Sequence, residues 1–146
     1  MISTKGRYAL RVMIDLASHP DERCSVKEIS ARQQISPKYL EHILPSLLDS
    51  RLIDGKAGRN GGYRLSVDPD EITVLEVLEA AEGSLSPVAC LKEGAEVCPR
   101  HEDCRTLDLW RDYYQMIRAF FGERYLSEFV ILPDGEKMKS RHTRLM

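Results

Sequence analysis

Apolar residues recur at helical spacing near the start of the chain. Between residues 4 and 18 they come in pairs that fall three to four positions apart: Tyr8/Ala9, Val12/Met13 and Leu16/Ala17. One face of an α-helix returns every 3.6 residues, so this pattern predicts an amphipathic helix with a buried apolar face. A proline and several charged residues follow His19 and end the helix.

Two further helices follow closely. Ser25 and Glu28 form a capping box, which predicts a short helix that ends near Gln33. Ser36 and Pro37 then supply an N-cap and a first-turn proline for a helix to about Asp49, with buried Leu40, Ile43/Leu44 and Leu47/Leu48. Two helices joined by so short a turn match a helix-turn-helix, although any helical hairpin fits the same pattern.

A β-hairpin is predicted directly after these helices. Leu52-Ile53 reads as a short strand, residues 55–62 as a glycine-rich turn, and Tyr63–Leu65 as a returning strand. A hairpin that follows a helix-turn-helix is a wing, and Lys56, Arg59 and Arg64 give this one positive charge. A nucleotide-binding phosphate loop would need a helix after the glycines, so that alternative is rejected.

The second half of the chain predicts two more helices. Thr73 and Glu76 form another capping box, and the helix they start buries Val74, Val77/Leu78 and Ala81 before it stops at Gly83. A longer helix from about Cys104 carries a broad apolar stripe at spacings of three and four, flanked by Tyr113 and Phe120: Leu107, Trp110, Tyr114, Ile117 and Phe121. We expect this stripe to pack against a second copy of the chain, the alternative being packing within its own subunit.

These elements predict a mainly α protein with a small β-hairpin wing. The expected organisation is a winged helix-turn-helix (residues 1–66), a supporting helix (67–83), a cysteine-rich sensor loop (84–103), a dimerisation helix with a C-terminal contact (104–130) and a disordered tail (131–146).

Charge and composition narrow the function. The 146 residues carry a net charge of −2. Residues 1–64 hold eleven Lys/Arg against seven Asp/Glu, so +4, and the remainder is −6, so the basic half can face phosphates. With no secretory signal and no long apolar run, the expected location is the cytoplasm, without membrane association. No catalytic constellation stands out, which argues against an enzyme.

Three of the four cysteines lie close together in a polar stretch. Cys90, Cys98 and Cys104 fall within fifteen residues that also hold a glycine, a proline and many charged groups, so we expect a loop. Thiolates concentrated in a loop suggest a soft metal or an iron–sulfur cluster. A disulfide framework, a zinc site and a thiol switch are the alternatives. Cys24 is expected to be a small buried side chain.

The order of these motifs resembles the IscR-like family of bacterial winged-helix transcription regulators, which includes CymR-, NsrR- and RirA-type proteins. The resemblance covers residues 1 to about 130. It rests on the starting run Ser3–Ala9, on Ile35–Glu41, on Gly58–Tyr63, and on the three cysteines followed by Leu109–Asp112.

The resemblance implies a homodimer that binds a pseudo-palindromic operator in double-stranded DNA. The second helix of the motif would enter the major groove and the wing would reach the minor groove. Glu41 matches the family's base-reading acid, and Arg59 is placed for the minor groove. The residues expected to contact DNA are Ser36, Pro37, Lys38, Tyr39, Glu41, His42, Lys56, Arg59 and Arg64.

In one branch of this family the three cysteines hold a [2Fe–2S] or [4Fe–4S] cluster, which can be absent from an aerobically prepared structure. The implied function is a regulator that senses cluster status, iron, redox state or nitric oxide. The alternative is a repressor of cysteine or sulfur metabolism controlled by a partner protein or by a thiol or zinc switch.

The sequence departs from the family at several positions. Ala57 stands where an arginine is usual, and glycine is usual both at Gln34 and after the recognition helix, where Ser50-Arg51 stand. The histidine that follows the last cysteine in IscR-type members is replaced by Leu107. His101 is therefore a candidate fourth ligand, beside Asp103, Asp108 and a group from the second subunit.

Overall fold

A computed structural model describes residues 1–142 and contains five α-helices and one hairpin. The helices are α1 (Thr4–Ala17), α2 (Val26–Gln33), α3 (Pro37–Asp49), α4 (Val74–Glu82) and α5 (Leu107–Gly122). Strands β1 (Ile53–Lys56) and β2 (Gly62–Leu65) pair antiparallel, with Ile53 opposite Leu65. Short 3₁₀ turns lie at Pro69–Glu71, Ala89–Leu91 and Leu126–Phe129. The predicted mainly α fold with a wing is confirmed.

Side chains cap the helices as the sequence predicted. The Ser25 hydroxyl accepts a hydrogen bond from the Glu28 N–H at 3.1 Å, and the Glu28 carboxylate accepts from the Ser25 N–H at 3.3 Å. Thr73 and Glu76 form the same reciprocal pair. Because the first N–H groups of a helix have no partner within it, these polar residues fix where each helix starts.

The core lies where α1, α2, α3 and α4 meet. Its fully buried side chains come from all four helices, from the residue pair before α4 and from the segment after α5. The largest are Met13, Leu16, Ile29, Leu40, Ile43, Leu44, Leu47, Ile72, Leu78 and Leu126. Cys24 is also completely buried, which confirms its prediction as a small core side chain. Among the helices in residues 1–142, none is long and apolar enough to cross a membrane.

Two boundaries differ from the sequence prediction. The first strand runs to Lys56, further than the predicted Leu52-Ile53, because pairing with Gly62 and Tyr63 extends the ladder into the glycine-rich segment. Helix α5 begins at Leu107, whereas a start at Cys104 was expected. Its N-cap position, Thr106, makes no side-chain capping bond, so no local signal marks the start.

The C-terminal segment also differs from its prediction. Residues 131–142 were expected to be disordered, yet Ile131 pairs with Lys137, and the Asp70 carboxylate accepts hydrogen bonds from Ser140 Oγ at 2.9 Å and Arg141 Nε at 2.6 Å. A buried carboxylate far away in the chain supplies these acceptors, so the polar sequence of the tail did not reveal them. Residues 143–146, the rest of the predicted tail, lie outside the described residues.

Candidate nucleic-acid interface and cysteine loop

The N-terminus of α3 presents most of the residues predicted to contact DNA. The Ser36 hydroxyl accepts a hydrogen bond from the Tyr39 N–H at 3.1 Å, and Pro37 occupies the first turn without needing a hydrogen-bond acceptor. The side chains exposed at this end are Ser36, Pro37, Lys38, Glu41 and His42. They offer donors, acceptors and one positive charge at a helix end, which suits both base edges and phosphates.

Tyr39 differs from its neighbours because it is half-buried. Its ring meets the ring of Tyr8 edge-on with centroids 5.4 Å apart, and lies 6.0 Å from the His42 ring. The Arg11 guanidinium lies over the Tyr8 ring at 5.0 Å. Tyr39 therefore ties the start of α3 to α1, and only part of its side chain remains for a ligand.

The basic side chains of the wing differ in whether a carboxylate pairs with them. Arg64 lies opposite Asp54 across the ladder and forms an ion pair with it at 3.2 Å, while Arg23 binds the other oxygen of Asp54 at 2.5 Å. Lys56 and Arg59 lie at the exposed tip and have no ion-pair partner among residues 1–142. Arg59 and Lys56 thus carry the charge available to phosphates, and Arg64 is partly neutralised.

A backbone bridge anchors the wing to the loop between α1 and α2. The Tyr63 N–H donates to the Cys24 carbonyl and the Cys24 N–H donates to the Tyr63 carbonyl, both at 2.8 Å. Gly62, with φ +124°, lies so close that a Cβ there would be 2.6 Å from the Cys24 carbonyl oxygen. Only glycine allows this approach, so the glycine-rich turn positions the wing as well as forming its tip.

The cysteine loop lies between α4 and α5. Cys90 is exposed in the 3₁₀ turn Ala89–Leu91, Cys104 is exposed just before α5, and Cys98 is half-buried between them. The Thr106 hydroxyl lies 3.6 Å from the Cys104 sulfur, and its hydrogen bond lowers the pKa of that thiol. His101 is exposed, and its backbone N–H donates to the Cys98 carbonyl at 2.9 Å.

The donor chemistry of this loop fits an iron–sulfur cluster. Three reduced thiols within one loop are the ligands that such clusters use, and the lowered pKa of Cys104 favours its thiolate. Within residues 1–142 the three sulfur atoms do not form a group in which all lie within 4.8 Å of one another. The three thiols are therefore of the right chemical kind, and among the described residues their sulfur atoms lie apart.

A different cluster of residues of metal-binding type lies at the end of α1 and in the loop between α1 and α2. Among the described residues, Asp15, His19 and Cys24 bring their ligand atoms within 4.8 Å of one another. Arg32 already binds both oxygens of the Asp15 carboxylate, at 2.8 to 3.3 Å, and also donates to Cys24. Burial raises the pKa of the Cys24 thiol. A guanidinium that binds the carboxylate and a protonated thiol both oppose a metal ion, so the Asp15–Arg32 ion pair is what organises this cluster.

Helix α5 carries two apolar stripes. The predicted stripe faces its own subunit in part: Tyr114, Ile117 and Phe121 are half-buried, and Phe121 lines an apolar pocket with Leu10, Ile14 and Val74. Part of this stripe's surface therefore remains for the second copy that the sequence predicted. The exposed apolar side chains form a second stripe: Leu109, Trp110, Tyr113, Met116 and Phe120. It also repeats at spacings of three and four. It shares Trp110 with the predicted stripe, whose expected flanks were Tyr113 and Phe120.

The similarities to known proteins agree with this fold. Residues 2–131 match the sequence profile of the Rrf2 family, described as iron-dependent transcriptional regulators. The HTH-type transcriptional regulator IscR of Aliivibrio salmonicida is 36% identical over 141 residues, covering 96% of this chain and 83% of that protein. The IscR of Xenorhabdus nematophila is 38% identical over 130 residues, covering 88% and 78%.

Solved structures show the same architecture. CymR, the global cysteine regulator of B. subtilis, superposes with a TM-score of 0.69 at 32% identity, covering 86% of this chain and 92% of that one. T. potens IscR superposes with a TM-score of 0.66 at 27% identity, covering 86% and 82%. The oxidised form of Staphylococcus aureus CymR gives 0.63 at 31% identity, covering 86% and 92%.

Proposed function

The chain belongs to the Rrf2 family of transcriptional regulators, and from that premise we propose that it reads an operator as a homodimer and senses its signal through an iron–sulfur cluster. The protein is a DNA-binding regulator and not an enzyme. The observation that carries the finer proposal is the combination of an exposed, capped α3 N-terminus with three thiols in the loop before the outward-facing helix α5.

In this proposal the exposed N-terminus of α3 enters a major groove. The Glu41 carboxylate accepts from a cytosine amino group, while Ser36 and Lys38 bind phosphates. Arg59 reaches the minor groove from the wing, where narrow A·T-rich segments attract arginine. Tyr39 and His42 on α3, and Lys56 in the wing, would add contacts to DNA beside these. Arg64 contributes less than Arg59 because Asp54 holds its guanidinium.

The exposed stripe on α5 would form the dimer interface. Met116 is 62% exposed and Phe120 is 54% exposed, and aliphatic and aromatic side chains in such a row are stabilised when a partner covers them. The two α3 helices of a dimer must then reach successive major grooves, about 34 Å apart. We expect Met116→Glu to convert a dimer of twice 16.7 kDa into monomer in light scattering, and Gln115→Glu, on the opposite side of α5, to leave it dimeric.

Cys90, Cys98 and Cys104 would hold the cluster, with His101 as a candidate fourth ligand. A [2Fe–2S] or [4Fe–4S] centre bound there would supply one-electron chemistry and sensitivity to oxygen, iron supply and nitric oxide. The chain's contribution is mechanical. The loop joins Gly83, at the end of α4, to Leu107, at the start of α5, so gathering its thiols also fixes these two helix ends relative to each other.

A spectrum with metal analysis on anaerobically purified protein tests this proposal. We expect visible charge-transfer bands with iron and sulfide, all lost in Cys98→Ala. Operator binding should respond to loss of the cluster in wild type and not in the variant. A colourless wild-type protein that lacks iron and sulfide would refute the cluster, while sequence-specific DNA binding by that same protein would keep the regulator.

A thiol or zinc switch is the second candidate, and Cys104 favours it. Its sulfur is exposed and its pKa is lowered by the Thr106 hydroxyl, which favours the nucleophilic thiolate at an accessible position. The solved oxidised form of Staphylococcus aureus CymR belongs to the same structural group. Zinc in the purified protein, or DNA binding that changes with peroxide while iron is absent, would favour this candidate. Control by a partner protein remains the third.

A further inference from the structure

A single buried carboxylate fastens the end of α2 to α1. Asp15 on α1 is 4% exposed, and its two oxygens accept hydrogen bonds from Arg32 Nε at 3.0 Å and Arg32 Nη2 at 2.8 Å. The Gln33 side-chain amide donates to the same carboxylate at 2.9 Å. Paired hydrogen bonds between a guanidinium and a carboxylate fix orientation as well as distance.

These two fastened residues come immediately before the turn that starts α3. Gln34 has a left-handed backbone with φ 55°, Ile35 is 3% exposed, and Ser36 is the N-cap of α3. Arg11 holds the turn from the other side, because its guanidinium donates to the Gln33 carbonyl and to the Gln33 side-chain oxygen. The turn is thus clamped between two polar contacts to α1.

Beyond this turn, α3 is held mainly by contacts that do not fix the orientation of the helix. Its buried side chains are aliphatic: Leu40, Ile43, Leu44 and Leu47. Burial of aliphatic surface stabilises the helix strongly but is non-directional. The directional contacts at the DNA-reading end are therefore those of the clamped turn, together with the edge-on Tyr8–Tyr39 pair.

We propose that Asp15 is a positioning residue for operator reading, which orients the N-terminus of α3 through Arg32 and Gln33 without touching DNA itself. This inference rests on the proposed reading of bases by that helix end. Groups that must meet base edges have to be held within about 0.5 Å and 10–20° of the productive geometry. Contacts from Lys and Arg to phosphates tolerate larger shifts, so loss of Asp15 should reduce specific binding more than non-specific binding.

The test compares two substitutions that remove the same charge. Asp15→Asn keeps the size of the side chain and an acceptor for Gln33, but its amide directs N–H groups at Arg32 and so breaks the paired hydrogen bonds. Asp21→Asn, at an exposed position between α1 and α2, is the matched control. Arg32→Lys is the second variant, because it keeps the positive charge and loses the planar fork.

The probes are two duplexes of equal length and composition. One is the duplex that the wild-type protein selects from a random library, and the other is the same sequence shuffled. Kd is measured for both by fluorescence anisotropy over a range of salt concentrations, at a temperature where melting curves show every variant folded. We expect Asp15→Asn to lose about 10-fold affinity for the selected duplex and less than about twofold for the shuffled one.

The salt dependence should stay at its wild-type slope, because the phosphate-binding side chains are unchanged. Asp21→Asn should keep the wild-type ratio of the two Kd values, and Arg32→Lys should shift it in the same direction as Asp15→Asn. If Asp15→Asn loses the same affinity for both duplexes, so that the ratio of the two Kd values is unchanged, the assignment is overturned. Asp15 would then contribute to stability alone. If Asp15→Asn does not fold, the ratio for Arg32→Lys decides in the same way. If the wild-type protein enriches no duplex from the library, that result overturns the operator-reading proposal and also the role proposed for Asp15.

Discussion

The anchoring of the wing can be tested by adding one methyl group at each of two glycines. Gly62 and Gly58 both have positive φ, +124° and +86°, so alanine is conformationally strained at either position. They differ in their surroundings. A Cβ at Gly62 would lie 2.6 Å from the Cys24 carbonyl oxygen and 2.7 Å from its carbon, whereas a Cβ at Gly58 would have no atom within 4 Å.

The expected magnitudes follow from that difference. Gly58→Ala should cost about 1 kcal/mol, the conformational strain alone. Gly62→Ala carries at least that strain, because φ +124° lies further from the left-handed region open to alanine, and it also forces Cys24 away from Tyr63. The two backbone hydrogen bonds of 2.8 Å between those residues would be lost, each worth about 1 kcal/mol. Gly62→Ala should therefore cost at least about 3 kcal/mol, a large part of the roughly 5 to 15 kcal/mol that stabilises a typical domain.

Urea unfolding followed by circular dichroism measures both costs, and amide hydrogen exchange at Cys24 and Tyr63 reports the bridge directly. We expect both amides to lose protection in Gly62→Ala and to keep it in Gly58→Ala. DNA binding should weaken in Gly62→Ala because the wing would no longer be held beside the α1–α2 loop. Equal stability losses in the two variants, with protected amides in both, would refute the claim that Gly62 is there for close approach.

Three further outcomes are expected. Arg59→Ala should lower the salt slope of DNA binding by about one, whereas Arg64→Ala should change it less because Asp54 already pairs with Arg64; equal slopes would contradict this division of the wing. Arg51→Gly should stabilise the protein by about 0.5 kcal/mol in urea unfolding, since Arg51 has φ 59° after α3 and glycine relieves that strain; a destabilised variant would refute it. Hydrogen bonds from Ser127 and Arg141 hold the pKa of the Asp70 carboxyl well below its usual range. Its stabilising contribution is therefore present above the ordinary aspartate pKa of about 4 and is lost as the pH falls below it. Asp70→Asn should make the acid side of the stability profile shallower, and a profile that keeps its wild-type steepness would contradict this role.

The local signals in the sequence were sufficient for the order of the helices. Ser25, Ser36 and Thr73 each accept the capping hydrogen bond that their residue type predicted, because an N-cap involves atoms only three residues apart. Glycine is usual in the family at Gln34 and in the Ser50-Arg51 segment, and the structure has a left-handed backbone at Gln34 and at Arg51. The departure from the family pattern therefore changed the residue and kept the conformation.

Contacts between distant parts of the chain could not be read from the same signals. The Asp54 carboxylate pairs with Arg64 and Arg23, and Asp15 holds Arg32 and Gln33, yet nothing in the spacing of these residues marks them as partners. Asp70 and Arg141 are 71 positions apart and still form an ion pair at 2.6 Å. Charged residues that look solvated in the sequence become specific when the fold brings a partner to them.

Helix α5 shows most clearly which features the sequence predicts and which ones the tertiary structure decides. Periodicity determined that a helix forms there and that it has apolar faces, since these depend only on spacing along one element. Which face turns inward was decided by α1 and α4, which supply Leu10, Ile14 and Val74 to the pocket that Phe121 lines. The sequence by itself thus determined the helices, the caps of α2, α3 and α4, the wing and the cysteine loop. The tertiary structure decided which charges are paired, which stripe is exposed and how the turn before α3 is held, because those depend on residues that are close in space and far apart in the chain.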